Sequence, residues 1–190
     1  MSEAGIQVGV ARTRTGAIAR RPEPAAPAVD EAAVRSALGE VMDPELPMLS
    51  VVDLGIVHRV SVMPDRGPIW VEILPTFIGC PALELIKASI VTRLGAFGRP
   101  VEVTATFEVP WTSDRISPAG RKALLEAGIA PPSGSTGAPA SSLIDLEPRV
   151  PCPHCGSRRT TIENLFGPTQ CRTIRYCTDC RQPFESIKAI

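Results

Sequence analysis

Four cysteines near the end of the chain have the spacing of a metal site. They form two Cys-x-x-Cys pairs separated by 21 residues: Cys152, Cys155, Cys177 and Cys180. A Cys-x-x-Cys turn places two thiolates one tetrahedral edge apart on a metal ion, and two such turns complete a closed four-sulfur site. A module of about 40 residues has too small an apolar core to fold unaided, so the sequence predicts a structural zinc ion here.

Other interpretations of the cysteine-rich module stay open at this point. Rubredoxin-like iron uses the same four ligands, whereas a redox-active pair accounts less well for two matched Cys-x-x-Cys turns. His154 lies inside the first pair, where we expect a solvent-exposed side chain rather than a ligand. Cys171 lies outside both pairs. It is a packed side chain, which we favour, a thiol that exchanges with a ligand, or a second reactive thiol.

The sixth cysteine, Cys80, stands between a glycine and a proline where a strand gives way to a helix. Because proline is favoured at the first helical position, Pro81 predicts that Cys80 is the N-cap residue. The positive end of the helix and its free N–H groups favour a thiolate, so we expect a low pKa and a reactive or metal-binding thiol. Gly79 permits a tight turn before it. The alternative is that Cys80 is a small buried side chain.

Composition limits the classes of function. The chain of 190 residues has zero formal net charge and 44% hydrophobic residues, and it contains no run of about 18 apolar residues. We therefore expect a globular cytoplasmic protein with neither a signal peptide nor a transmembrane helix, and with no membrane or nucleic-acid partner. In a reducing compartment, crowded cysteines favour a metal site over disulfides.

Hydrophobic periodicity predicts the elements that hold these motifs. Asp30 is a favourable N-cap residue, and the apolar residues that follow it at helical spacing predict a first helix that ends near Met42. A second helix is predicted after Cys80. Alternating apolar residues predict strands that begin at Leu54, Ile69 and Val101. A hairpin followed by a strand–helix–strand crossover gives a mixed sheet. The predicted fold class is therefore a two-layer α+β domain in the order α-β-β-α-β, followed by a small zinc-ribbon domain.

The distribution of proline, glycine and serine predicts the domain boundaries. Segments rich in these residues mark linkers and tails rather than packed units. We expect a disordered tail at residues 1–28, an α/β domain at 29–130, a linker at 131–148 and a zinc ribbon at 149–190.

The predicted α/β domain carries three short motifs: DPE at 43–45, DLG followed by two aliphatic residues at 53–57, and T-x-x-GCP at 76–81. Together they resemble the small domain of SufT-type iron-sulfur assembly factors and their eukaryotic relatives. The resemblance covers residues 29–109. It implies a functional site made of Asp43, Glu45, Asp53, Thr76 and Cys80, in which Cys80 makes a transient contact with iron or an iron-sulfur cluster.

Motifs in the rest of the chain narrow the resemblance: PWTSD at 110–114, SPAGR at 117–121, GIAPP at 128–132, CPHCGS at 152–157, FGPTQC at 166–171, RYC at 175–177 and PFE at 183–185. With the first domain, they are similar to the PaaD family, also named PaaJ. Members are encoded with the bacterial multicomponent phenylacetyl-CoA epoxidase of phenylacetate degradation. His58 replaces an aromatic residue usual in that family, a departure that we expect to affect packing.

The resemblance implies an accessory protein that matures the iron-sulfur centre of the epoxidase reductase or another metal site. A non-catalytic effector subunit of the oxygenase complex is the alternative. An independent enzyme is disfavoured, because the sequence has no Ser/His/Asp set, nucleotide-binding loop or acid–base pair. The expected partners are reductase or oxygenase subunits, and a homodimer is left open. The expected metals are structural zinc and a transient iron-sulfur cluster or iron ion.

Overall fold

The first part of the chain forms a three-stranded mixed sheet packed against two helices. The computed structural model describes residues 29–132 and 150–189. Its first elements are α1 (Glu31–Leu38), β1 (Val57–Val62), β2 (Ile69–Ile73), α2 (Leu83–Gly95) and β3 (Val101–Ala105). The central strand β2 is antiparallel to β1 and parallel to β3. The predicted α-β-β-α-β order and mixed sheet are therefore confirmed.

One face of this sheet is buried and the other is open to solvent. On β2, Ile69, Val71 and Ile73 are buried, whereas Trp70 on the opposite face is exposed. The helix α2 covers the buried face with side chains one helical turn apart: Ile86, Ile90 and Leu94. The period of two on the strand and of 3.6 on the helix thus produces two layers with one core between them.

The helix α1 begins as predicted but ends early. The Asp30 carboxylate accepts a hydrogen bond of 2.7 Å from the Ala33 amide and caps the helix. The helix ends at Leu38, and Gly39, a poor helix former, follows it. Val41 is buried although it lies beyond the helix. In the sequence, Val41 continues the helical spacing of the apolar residues, which is why the predicted end near Met42 was too late.

The strand β1 begins three residues later than predicted. Leu54 and Ile56 are buried, as the alternating pattern requires, but Leu54 lies in a turn and Ile56 lies between this turn and the strand. Gly55 has a φ of +73°, and a Cβ atom there would lie 2.3 Å from the carbonyl oxygen of Arg115. This close approach of two backbone segments requires glycine and delays the strand to Val57.

A hydrogen-bonded carboxylate joins this turn to the following helical segment. That segment contains a 3₁₀ helix (Ser113–Arg115) and α3 (Pro118–Glu126). The two oxygens of Asp53 accept hydrogen bonds of 2.7 Å, one from the Ser50 hydroxyl and one from the Ser117 hydroxyl. Because Ser117 also caps α3 through the Gly120 amide, Asp53 fixes the start of that helix.

The cysteine-rich module shares a sheet with the first domain. The second sheet has the order β4-β7-β6-β5, with β4 parallel to β7 and the other pairs antiparallel. Its strands are β4 (Ile129–Ala130), β5 (Thr160–Asn164), β6 (Arg172–Cys177) and β7 (Pro183–Ile187). The strand β4 follows α3, so a strand of the α/β part pairs directly with the module. Ile187 of β7 belongs to the core cluster of the first sheet.

The predicted tail at 1–28 and nearly all of the predicted linker at 131–148 lie outside the described residues. The division of the chain into these four segments therefore stays a prediction. Within residues 29–132 and 150–189, no helix has the length and apolar character needed to cross a membrane.

We predict that Asp53→Ala lowers the free energy of unfolding by about 2 kcal/mol, because two hydroxyl groups lose a charged acceptor. Denaturant unfolding measures this change. Glu126→Ala is the control, since it removes an exposed carboxylate that pairs with Lys122 at the surface, and we expect a loss below about 0.5 kcal/mol. Equal losses in the two variants would contradict the structural role assigned to Asp53.

Candidate functional site

The four paired cysteines converge on one point. The sulfur atoms of Cys152, Cys155, Cys177 and Cys180 all lie within 4.8 Å of one another. The Cys152–Cys180 and Cys155–Cys177 sulfur pairs are each 3.6 Å apart. A tetrahedral site with metal–sulfur bonds of about 2.3 Å has sulfur–sulfur edges of about 3.8 Å. The four side chains therefore fit a metal ion with closed four-sulfur coordination.

The same backbone turn builds both halves of this site. The residue after each Cys-x-x-Cys pair is left-handed, Gly156 with a φ of +73° and Arg181 with a φ of +58°. Each donates its amide to the carbonyl oxygen of the first cysteine of the pair, Cys152 or Cys177, at 2.8 Å. Glycine adopts this conformation without strain, whereas arginine does so at a cost that the closed sulfur cluster must offset.

Neighbouring polar residues join the two turns. The Asp179 carboxylate accepts hydrogen bonds from the Ser157 hydroxyl and the Arg159 guanidinium, so the second turn is bonded to the chain after the first. His154 is exposed and is not part of the sulfur cluster, as its position inside the first pair indicated.

A second group of metal-binding side chain types lines a small cavity where the two sheets meet. The cavity has a volume of about 20 Å³, and its walls include Asp43, Glu45, Thr76, Cys80 and Cys171. Four of these five residues were implied by the family resemblance. Asp53 was implied as well, but its side chain faces Ser50 and Ser117 instead. Cys171 comes from the other sheet, and no local motif in the sequence indicated that it would approach Cys80.

The loop at 43–47 presents its two carboxylates through a fixed turn. Asp43 is 6% exposed, and one of its oxygens accepts hydrogen bonds of 2.8 Å from the amides of Glu45 and Leu46. Burial raises the pKa of Asp43, although these hydrogen bonds and the nearby Arg172 oppose the shift. Burial and the Asp43 charge also raise the pKa of Glu45.

Cys80 does not cap the helix, so that prediction was wrong. The helix α2 begins at Leu83 with Ala82 as the N-cap residue, and Cys80 lies two residues earlier. Gly79 has a φ of +78°, which confirms the tight turn before Cys80. Within this turn the Cys80 amide donates to the Phe77 carbonyl oxygen at 3.2 Å. The Cys80 carbonyl oxygen accepts from the Leu83 amide at 3.2 Å, so Cys80 joins this turn to a second turn that leads into the helix.

The pKa of Cys80 is raised, which contradicts the expected low value. Burial is the largest cause, and the Glu45 and Asp43 carboxylates raise the pKa further. A hydrogen bond from the Ala82 amide lowers it but does not compensate. Neighbouring carboxylates could not be inferred from the junction itself, because the tertiary structure brings them there. Cys80 is a half-buried thiol that packs against the core.

Arg172 bonds the second sheet to the carboxylate loop. Its guanidinium donates to the Glu185 carboxylate at 2.7 Å and to the backbone carbonyl oxygen of Glu45 at 3.3 Å. It also donates to the Thr169 hydroxyl, which in turn lies 3.2 Å from the Cys171 sulfur. Burial raises the pKa of Cys171 more than this contact lowers it.

An open apolar groove adjoins the small cavity. It has a volume of about 610 Å³ and shares walls with the cavity at Pro75, Thr76, Trp111 and Ile187. Several large apolar side chains along it are exposed: Phe77, Ile78, Phe107, Val109 and Leu165. A molecule bound in this groove would lie next to the Cys80 cavity.

We predict that iodoacetamide alkylates Cys80 more slowly in the native protein than in the unfolded protein at pH 7, because the raised pKa leaves little thiolate. Mass spectrometry of the peptide that contains Cys80 measures the rate. Glu45→Gln should accelerate the reaction at the same pH by removing a nearby negative charge. Glu163→Gln, an exposed carboxylate on β5, should not. Faster alkylation in the native wild type would contradict the raised pKa.

Comparison with known families divides the sequence into the same two parts. Residues 31–107 match the family described as iron-sulfur cluster assembly protein. Residues 136–188 match the family described as PaaD zinc beta ribbon domain. The first matched region contains Asp43, Glu45, Thr76 and Cys80. The second contains Cys171 and the four paired cysteines.

The chain is also similar to individual proteins of known sequence or structure. The chain is 39% identical over 155 residues to a protein of Escherichia coli (strain K12) that is named as a subunit of "Putative 1,2-phenylacetyl-CoA epoxidase", covering 80% of this chain and 89% of that protein. It is also 39% identical over 82 residues to "Iron-sulfur cluster carrier protein" of Mycobacterium bovis, covering 43% of this chain and 18% of that protein. A solved DUF59 domain from Bacillus anthracis has a TM-score of 0.46 and 28% identity, covering 50% of this chain and 90% of that one. The chain therefore belongs to the PaaD family, and it joins an iron-sulfur cluster assembly domain to a PaaD zinc beta ribbon domain.

Proposed function

We propose that this chain is a cytoplasmic accessory protein of a multicomponent phenylacetyl-CoA epoxidase, and that it helps to load the iron-sulfur centre of the reductase component. The observation that carries the proposal is the position of Cys80. Its half-buried thiol shares a cavity with Asp43 and Glu45 in the iron-sulfur cluster assembly domain, and this cavity adjoins an open apolar groove. The name of the Escherichia coli relative supports the link to the epoxidase.

The chemistry of the Cys80 cavity suits transient contact with iron. Thiolate and carboxylate groups together bind ions of intermediate softness, such as divalent iron. Because the free thiol is largely protonated, it becomes a good ligand only when a cation arrives and displaces the proton. Iron is therefore a cargo that the site receives and releases rather than a resident cofactor.

The groove beside the cavity suits a protein client. Contiguous exposed apolar side chains on a folded protein commonly mark a surface that a partner covers. Phe77 and Ile78 lie between Thr76 and the Gly79–Cys80 turn, so a client that covers them would meet the Cys80 cavity. Leu165 of the ribbon lines the same groove, so both matched domains would contact the client.

The four-cysteine site supports this surface without taking part in the transfer. Four sulfur ligands leave no open coordination position, which is typical of structural rather than catalytic zinc. The metal would hold β5, β6 and β7 together, and these strands contribute Ile162, Thr173 and Ile187 to the groove. We therefore assign zinc to Cys152, Cys155, Cys177 and Cys180.

We predict one zinc ion per chain in the purified full-length protein. Cys177→Ser should lose the zinc and the protection of β5–β7 from hydrogen exchange, because those strands have little core of their own. Elemental analysis and hydrogen exchange measure the two effects. Cys171→Ser is the matched control and should keep its zinc. One iron ion per chain in place of zinc, or unchanged protection in Cys177→Ser, would contradict the assignment.

For the maturation role, we predict that cells lacking this protein make the epoxidase reductase with its iron-sulfur centre underloaded. Chemical reconstitution of the purified reductase should then restore turnover without this protein. Cluster content by absorbance and iron analysis, together with epoxidase turnover, measures both effects. A strain that carries Cys80→Ala should have the same underloaded reductase as the deletion strain. Ser89→Ala, which changes a partly exposed residue of α2, should restore the wild-type cluster content.

A non-catalytic effector subunit would give the opposite pattern. The reductase from the deletion strain would be fully loaded, and turnover would return only when this protein was added to the assay. Wild-type cluster content in the Cys80→Ala strain would remove Cys80 from the proposed transfer.

A further inference from the structure

The groove that adjoins the Cys80 cavity combines apolar walls with positive charge. We propose that it binds an extended segment of an epoxidase component, and that this segment carries both apolar side chains and a carboxylate. The inference rests on the proposed function for the identity of the partner, and it adds the chemistry by which the partner is recognised. The apolar side chains of the segment would lie on the exposed rim, and its carboxylate would lie near Lys188.

Both domains build the walls of the groove. The second sheet contributes cross-strand partners on β5 and β6, Ile162 and Arg175, and it contributes Ile187 from β7. Phe107 and Trp111 line the groove from the chain that follows β3. A volume of about 610 Å³ lies within the range of roughly 300–1,000 Å³ that is typical of binding clefts. The groove can therefore hold several side chains of one segment.

The rim of the groove carries apolar side chains that the fold leaves in solvent. Ile78 is 82% exposed, and Phe107 and Leu165 are each 58% exposed. These residues come from three separate parts of the chain, yet all of them line the one groove. Covering them removes apolar surface from water, which favours binding. Because they protrude at the open side, they suit a protein segment that lies across them better than a small molecule enclosed by walls.

Charge determines which apolar segment fits. Among the described residues that line the groove, the charged ones are Arg175 and Lys188, and both are cations. Arg175 is 5% exposed, and its Nε donates to the Ser186 hydroxyl at 2.9 Å, so its charge has a fixed position. The Lys188 ammonium is half-buried and lies 5.2 Å from the centre of the Phe166 ring. Two cations beside apolar walls attract a segment with a carboxylate and disfavour a basic one.

The order of the strands favours an extended segment over a helix. Thr106 and Phe107 continue the chain from β3, and Ile162 belongs to β5. Each of these two strands is the last one in its sheet. The outer backbone groups of such edge strands have no strand partner within the described residues, and an extended chain can hydrogen-bond to groups of this kind. Backbone pairing would then add to the side-chain contacts in the groove.

Photocrosslinking tests whether such a segment exists. The full-length protein, with zinc bound, carries p-benzoylphenylalanine in place of Ile78 and is irradiated in a mixture of the purified epoxidase components. Mass spectrometry of the crosslinked peptides identifies the partner and the segment. We expect one segment of an epoxidase component that contains apolar residues and at least one Asp or Glu.

Two variants of the groove test its apolar and charged features separately. A synthetic peptide of the crosslinked segment is titrated into the full-length protein by calorimetry. Ile78→Glu and Lys188→Glu should each weaken binding at least about tenfold, because the first removes an apolar contact and the second reverses a cation. A peptide in which lysine replaces the acidic residue should bind Lys188→Glu more tightly than it binds the wild type.

Leu85→Glu and Lys122→Glu are the matched controls. Leu85 on α2 is 56% exposed, the Lys122 side chain on α3 is 77% exposed, and neither residue lines the groove. Both variants should bind the peptide within about twofold of the wild type. Zinc content and thermal unfolding should be the same in all four variants, which separates a loss of binding from a loss of folding.

The outcomes distinguish this inference from the proposed function. A crosslink to another part of this chain, to a second copy of it or to no component would overturn the groove inference, and so would unchanged affinity in Lys188→Glu. The maturation role would still stand if the reductase is underloaded without this protein. If the reductase is instead fully loaded in the deletion strain, the expected crosslink and variant effects would support the groove and reject the maturation role.

Discussion

The pairing of β4 with β7 is the contact on which the rest of the arrangement depends. It consists of two parallel residue pairs, Ile129 with Glu185 and Ala130 with Ser186, and the next residue, Ile187, enters the core of the first sheet. A cysteine-rich ribbon of this size would otherwise be an independent module on a linker. The shared strand and shared core instead place one side of the ribbon against the carboxylate loop, where Arg172 bonds to Glu45.

The chain contains two groups of cysteines whose surroundings differ in a way that suits different tasks. The sulfur atoms of the four paired cysteines converge, and their separations are already nearly the edge lengths of a tetrahedral metal site. Cys80 and Cys171 instead lie in a buried cavity beside carboxylates, and both conditions raise their pKa values and make an unneutralised thiolate unfavourable. The first environment suits a bound metal ion, whereas the second favours the protonated form of both thiols.

Residues that stand close together in a family motif have separate physical roles in this fold. The DLG motif contributes Asp53, which accepts two hydroxyl hydrogen bonds and holds α3, and Gly55, which lets the backbone of Arg115 approach. The DPE and GCP motifs contribute Asp43 and Cys80 to the cavity. The first motif therefore builds the scaffold, and the other two line the site. Recurrence in a family does not by itself separate these two roles.

The sequence alone determined the features that depend on local spacing. The Cys-x-x-Cys pairs predicted the sulfur cluster, periodicity predicted the α-β-β-α-β order, and Asp30 predicted the start of α1, because each signal lies within a few residues of the structure that it forms. Only the tertiary structure decided the sign of the Cys80 pKa shift and the position of Cys171. The pKa shift depends on burial and on the Asp43 and Glu45 charges, which lie far from Cys80 in the sequence. The position of Cys171 depends on the pairing of β6 with β7, and no local pattern records either contact.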